Sequence, residues 1–255
     1  MSQHENDALQ VQGDRVVLGE WSGDLEELIA KNVELRQMLR EGRADEARAL
    51  LKAQAVEEQA ALVAIDENPE EVLSLTGMDA QGRPGYLPAV VDKLPSEIIA
   101  ELVAPGEYKL ARFNTALLQT MSAESFARAV EDTLDPVYYH GNRTKVSWEW
   151  LEAVAALDDH SKRAALLYKV DQGLLEDAFL DKVDSIDMHA QVGGLPDWGT
   201  VSAFSLLSES GQAVMLPPIN DPEIREVIYA LHQAAPELLA AVLRAAWERA
   251  RGGAS

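Results

Sequence analysis

Three carboxylates in the second half of the chain have the spacing of a metal site. Asp177 and Asp181 stand four residues apart, and Asp184 follows about one helical turn later in the segment LLEDAFLDKVDSIDMH. Side chains at this spacing share one side of a helix, so the three can converge on a hard cation such as Mg²⁺. The alternative is an acidic face exposed to solvent, on which the nearby Lys182 partly relieves the repulsion between the carboxylates. The sequence contains no twelve-residue calcium loop with its glycine turn.

Catalytic motifs are absent from the sequence. There is no cysteine nucleophile, no Gly-x-Ser-x-Gly turn and no glycine-rich phosphate loop. Of the five histidines, one lies in the predicted leader and the other four lie in or beside polar helix ends and loops, which predicts surface or capping roles for those four. The five are His4, His140, His160, His189 and His232. We therefore predict no catalytic residue and no cofactor other than a possible Mg²⁺.

Aromatic side chains offer a different kind of site, a surface for protein contact. Trp148 and Trp150 are two residues apart and cannot share one helical face, which predicts one buried indole and one at an edge or interface. Tyr138, Tyr139 and Trp198 fall in predicted loops, where aromatic residues are enriched in binding hot spots. Core packing is the alternative for the tryptophan pair.

The composition indicates an acidic protein that functions in a reducing compartment. The 255 residues contain 43 acidic and 22 basic side chains, for a net charge of -21, and no cysteine. This charge repels nucleic-acid phosphates and anionic lipid surfaces. No apolar run approaches the length of a membrane-spanning helix, and the polar first residues do not resemble a secretory signal. We therefore expect a cytoplasmic protein that neither binds nucleic acid nor inserts into a membrane.

The first long helical pattern covers residues 24–40. Leu25, Leu28, Leu35 and Leu39 have heptad spacing around a central Asn32, which is the pattern of a short coiled-coil seam. The seam predicts either a helix docked on its own domain or a homodimer formed through residues 24–40. A break at Gly42 and a renewed apolar pattern then predict a helix, a turn and a second helix.

Five helix starts follow at nearly constant intervals of 24 to 27 residues. Each offers a capping residue or proline, usually an acid two positions later, and then adjacent large apolar residues. The starts are Pro69, Pro95, Ser122, Ser147 and Asp171. Capping chemistry is common to all helices, but a near-constant interval is typical of a stacked helical array.

The repeated Pro/Ser-x-Glu-apolar-apolar starts of residues 69–183 resemble the helical N-terminal intracellular domain of MgtE-type magnesium transporters. The flagellar motor switch protein family shows a similar pattern of helix starts. The resemblance implies curved stacks of short helices that act by docking, and for the transporter domain a response to divalent cations. No strict motif carries functional residues of either family onto this chain.

These observations predict an all-α protein of stacked short helices, in a repeat-like superhelix or an irregular helical bundle. We expect four parts: a flexible leader (1–22), a helical hairpin (23–67), a repeat-like body (68–191) and a less regular C-terminal region ending in a capping helix (192–255). The predicted function is a non-catalytic interaction or scaffold module that binds another protein. A divalent-cation-responsive accessory domain is the second reading, and an enzyme of unknown type is the third.

Overall fold

The structure of the protein, a computed structural model, describes residues 9–78, 82, 84–103, 113–133, 148–180, 182, 205–207, 213–215 and 221–252. The chain divides into two compact units, residues 1–133 and 134–255. This division falls inside the repeat-like body predicted at residues 68–191. Helices dominate both units, as the all-α prediction requires. Among the described residues, no helix combines the length and apolar character that crossing a bilayer requires.

The first unit begins with a small sheet and continues with short helices. Its elements are β1 (Gln10–Gln12), β2 (Arg15–Leu18), β3 (Trp21–Asp24), α1 (Leu25–Arg40), α2 (Ala44–Lys52), α3 (Val56–Ala64), α4 (Pro69–Leu73), β4 (Gly77–Met78), β5 (Pro84–Gly85), α5 (Pro88–Val91), α6 (Ser96–Val103), α7 (Thr115–Thr120) and α8 (Ala123–Asp132). Helix α1 packs on α2, α3 and β3, and α6 packs on α7 and α8.

The flexible leader predicted at residues 1–22 is wrong for residues 10–22. Strands β1, β2 and β3 form an antiparallel meander in which Val11 pairs with Val16, and Val16 with Gly23. Val16 and Leu18 are buried on one face of this sheet. The two connecting turns are two residues long and begin with Gly13 and Gly19 at positive φ, the conformation that tight hairpins require.

The second unit contains five helices and a strand pair within its described residues. They are α9 (Trp148–Ala155), α10 (His160–Leu167), α11 (Gln172–Leu180), β6 (Ser205–Leu207), β7 (Ala213–Met215), α12 (Pro222–Ala234) and α13 (Pro236–Gly252). Helix α12 packs on α9, α10 and α13, while α13 also packs on α11. The strands β6 and β7 pair antiparallel. The last helix thus covers part of this unit's core.

The helix starts predicted from the sequence are confirmed. Helices α4, α6, α8, α9 and α11 begin at the predicted starts or one residue after them. The Ser122 hydroxyl accepts a hydrogen bond from the Ser125 N–H at 3.1 Å, which is the capping interaction that its position predicts. Whether these starts belong to a repeated array stays a prediction, because helix starts alone do not establish how the units stack.

Candidate functional site

Five of the eight residues predicted for metal binding or contact lie outside the described residues. These are Asp181, Asp184, Tyr138, Tyr139 and Trp198. The other three, Asp177, Trp148 and Trp150, belong to α11 and α9 of the second unit. The described part of the chain holds no group of three or more His, Asp or Glu side chains arranged around a metal position.

Asp177 is paired with an arginine from the last helix. Its side chain is buried, and its Oδ1 accepts a hydrogen bond from Nη2 of Arg249 at 2.5 Å. The neighbouring Glu176 carboxylate lies 3.5 Å from Nη1 of the same guanidinium. A guanidinium therefore compensates the two adjacent carboxylates where the sequence predicted a metal ion. A cation at this position would have to replace Arg249.

The two tryptophans of α9 differ in burial, as their spacing predicts. Trp150 is 7% exposed and belongs to the core, whereas Trp148 is half-buried. The Trp148 ring stands edge-on to Phe179, with ring centroids 5.4 Å apart and planes at 87°. Nζ of Lys182 lies 5.2 Å from the centroid of the Trp148 ring, within the range of a cation–π interaction.

The Glu152 carboxyl accepts a hydrogen bond from Trp148 and has a shifted pKa. Burial raises the pKa of the Glu152 carboxyl, one helical turn beyond Trp148, while a hydrogen bond from Trp148 lowers it. The charges of Glu149 and Glu223 raise this pKa further, and Lys182 opposes them. Trp148 thus contacts one carboxylate, Glu152, and one ammonium, Lys182. The cationic side chain that lies over the ring is Lys182 of the same unit.

His232 corrects the prediction that the four histidines outside the leader have surface or capping roles. Its side chain is 0% exposed on α12, and neither ring nitrogen has a hydrogen-bond partner among the described residues. Burial lowers the pKa of its imidazole, so the neutral form is favoured in the folded state. Two residues before it, the Ala230 carbonyl accepts a hydrogen bond from the buried Arg163 guanidinium at 2.8 Å.

In the first unit, one side of α1 is fixed by a buried ionic network. Nε of Arg36 donates to Oδ2 of Asp66 at 2.8 Å, and Nη2 of Arg36 donates to Oδ1 of the same carboxylate. Nη1 of Arg36 lies 2.7 Å from the Glu71 carboxylate. The Asp66 side chain is 0% exposed and that of Arg36 is 11% exposed. This network joins α1 to the segment that connects α3 and α4.

The leucine seam of α1 also faces the interior of its own unit. Leu28 and Leu35 are 2% and 0% exposed. Asn32, the polar position of the seam, donates from Nδ2 to Oδ2 of Asp66 at 2.8 Å. Leu28, Asn32 and Leu35 of the predicted dimer seam are therefore used for packing and hydrogen bonding within the chain.

A different face of α1 is exposed. Ile29 and Val33, one turn apart, have exposed fractions of 48% and 60%. Sequence reasoning missed this face because its apolar residues are fewer and smaller than the leucines of the seam. The signal that could have found it is the second apolar pair at i, i+4 on the same helix.

No protein-family model, no curated protein and no solved structure matches this chain. The resemblance of residues 69–183 to the MgtE-type intracellular domain therefore stays a prediction. The candidate contact surfaces are defined by the protein's own geometry: the exposed face of α1 in the first unit and the surroundings of Trp148 in the second.

Proposed function

We propose that the protein is a cytoplasmic, non-catalytic interaction or scaffold module that binds a partner protein through the exposed face of α1. The observation that carries the proposal is the contrast between the two sides of this helix. One side is held by the buried Arg36 and Asp66 pair, and the other presents Ile29 and Val33 to solvent.

The anchored side favours binding because it limits the entropy lost when a partner docks. A helix that is already rigid does not have to be ordered on association. Ile29 and Val33 are β-branched, so their side chains have few rotamers to lose in a helix. Helix-on-helix or helix-in-groove contact is the mode that an apolar pair one turn apart supports.

Two partners are compatible with this surface. One is a second copy of the chain, in a homodimer formed through residues 24–40, and the other is a different protein. The predicted contact residue Trp148, which is half-buried and lies under the Lys182 ammonium, adds a second candidate surface. Either partner makes the protein a module that acts by contact.

Photo-crosslinking tests the proposal in cells. A photo-reactive amino acid placed at Val33 should give one discrete adduct, whereas the same amino acid at Val11 should give none. Val11 is the matched control because it is also a valine of the first unit and is 59% exposed, against 60% for Val33.

Ile29→Arg should abolish the adduct formed at position 33, since it places a charge in the middle of the contact. Equal labelling from positions 33 and 11, or an adduct at 33 that survives Ile29→Arg, would contradict the proposal. Circular dichroism of the variant checks that the helices remain folded.

A further inference from the structure

Five exposed residues of α1 lie within one narrow arc of the helix and have symmetric spacing, while Glu27, Ala30 and Glu34 are exposed beside this arc. The five are Glu26, Ile29, Val33, Gln37 and Arg40, and we call them the outer stripe. The intervals between them are three, four, four and three residues. At 3.6 residues per turn they cover an arc of about 80° and a length of about 21 Å. The spacing of the outer stripe is therefore symmetric about Val33.

The charges at the two ends of the outer stripe are opposite. Glu26 lies in the first turn of α1 and Arg40 in the last turn. An antiparallel copy of the same helix, related by a two-fold axis at Val33, places Glu26 beside Arg40 of the second copy, and the reverse pair forms by symmetry. It also places Ile29 beside Gln37 of the second copy and brings the two Val33 side chains together.

We propose that the partner of the outer stripe is a second copy of this chain, bound antiparallel about a two-fold axis at Val33. The inference rests on the proposed function, and it names the partner of that same surface. Closed two-fold interfaces require a patch that is complementary to itself, and the stripe meets that requirement in both spacing and charge.

A parallel arrangement of two α1 helices is unfavourable because of the same end residues. It would place Glu26 against Glu26 and Arg40 against Arg40, so that both ends repel. A parallel pair through the leucine seam would in addition have to break the hydrogen bond from Asn32 to Asp66 and expose Leu35, which is 0% exposed. The antiparallel pair leaves every buried contact of α1 in place.

The internal contacts of the stripe do not block this pairing. Nη2 of Arg40 lies 3.1 Å from the Glu67 carboxylate, but the two side chains are 73% and 69% exposed. Ion pairs with such exposure contribute little, so Arg40 can exchange Glu67 for a second carboxylate or contact both. Gln37 donates to Glu41 at 2.9 Å, also at the surface.

The size of the stripe predicts a weak dimer. A stable protein interface buries about 800 Å² on each partner, and a single helical stripe of about 21 Å offers less than that. We therefore expect a monomer–dimer equilibrium that depends on protein concentration over the micromolar to millimolar range. Because its ends are ionic, the dimer should also weaken as the salt concentration rises.

Exchanging the charges of Glu26 and Arg40 in the full-length chain tests the antiparallel geometry. Dimerisation is measured by sedimentation equilibrium at low salt. Glu26→Arg alone and Arg40→Glu alone should each weaken dimerisation about ten-fold or more, because each replaces two attractive pairs by two repulsive ones. The double variant carrying both changes should recover the dimerisation of the unchanged protein.

Glu34→Arg is the matched control, because it makes the same charge change on the same helix outside the outer stripe. It should leave the dimer unchanged. Dimerisation that is weakened equally by Glu34→Arg, or that is not recovered in the double variant, would overturn the antiparallel geometry.

A protein that remains monomeric at every concentration would overturn self-association altogether. The proposed function is judged separately, because a position-33 adduct with a different protein would support it even then. The absence of any adduct at position 33 would instead remove the docking surface itself.

Discussion

Replacing Asp66 with alanine should destabilise the first unit more than the loss of any surface ion pair. The Asp66 carboxylate is buried, so water cannot replace it as the acceptor for its hydrogen-bond partners. Its side chain is 0% exposed. It accepts hydrogen bonds from Nε and Nη2 of Arg36, from Nδ2 of Asn32 at 2.8 Å and from the Asn68 N–H at 2.7 Å. The alanine variant leaves all of these donors without their acceptor.

The magnitude follows from what remains after the substitution. Removing one partner of a buried ion pair costs about 3–5 kcal/mol of unfolding free energy, since the other charge stays buried. Here Glu71 still contacts Arg36 at 2.7 Å, and Asn32 is half-buried and can reach water. We therefore expect a loss near the lower end of that range, about 3 kcal/mol.

Urea unfolding of the full chain, followed by far-ultraviolet circular dichroism, measures the loss as a shift in the transition midpoint. Arg43→Ala is the control, because it removes an arginine that pairs with Glu46 at the surface of the same unit. It should leave the midpoint nearly unchanged. Equal effects of Asp66→Ala and Arg43→Ala would refute the reasoning that burial makes the Arg36 pair structurally important.

Three further predictions concern stability. Asp177→Asn in the presence of EDTA should lower the thermal midpoint, because it weakens the pair with Arg249; a midpoint that rises would instead indicate the relief of carboxylate repulsion in an empty metal site. The pKa of His232 is lowered by burial, so the stability that its neutral form contributes is present above the unfolded pKa of about 6.5 and is lost as pH falls below it. His232→Leu should accordingly reduce the fall in melting temperature between neutral pH and pH 5, and an unchanged fall would argue against this role. Ser122→Ala should cost about 1 kcal/mol in a urea titration and Ser122→Gly only a few tenths, since glycine tolerates the N-cap position; equal costs would contradict the capping argument.

The helix starts could be predicted because their signals are local. A serine, aspartate or proline at the first turn satisfies or avoids unpaired N–H groups within three or four residues. Asp221, for example, accepts hydrogen bonds from the N–H groups of Glu223 and Ile224, both within the next turn. Nothing distant in the chain is needed to place such a start.

The meander at residues 10–24 could not be predicted from polarity alone. Its strands are three or four residues long, and only one face is apolar, so the segment has the composition of a flexible leader. The usable signal is alternation: Val11, Val16 and Leu18 fall on one face, and each turn begins with glycine. A search for hairpins with two-residue turns would have found it.

The candidate site depends on contacts between residues far apart in the sequence, which single-sequence patterns do not reveal. Asp177 and Arg249 are 72 positions apart. Of the three carboxylates whose spacing predicted a metal site, Asp177 is paired with Arg249 from another helix, and the metal site itself stays a prediction. In the same way, Arg36 and Asp66 are 30 positions apart, and their pair lies on the buried side of α1.

Helix α1 carries two apolar stripes, and we expect the buried Arg36–Asp66 pair to select which of them faces the interior. Leucines provide more burial than Ile29 and Val33, but apolar contact alone allows a helix to rotate by a fraction of a turn, whereas a bidentate guanidinium–carboxylate pair does not. Replacing the pair by Arg36→Met and Asp66→Leu together should cost less unfolding free energy than Asp66→Ala alone, because no uncompensated charge stays buried, although Asn32 and the Asn68 N–H lose their acceptor. If the pair fixes the rotation of α1, the same double variant should nevertheless weaken dimerisation in sedimentation equilibrium. A variant that keeps both stability and dimerisation would show that the leucine seam alone orients the outer stripe.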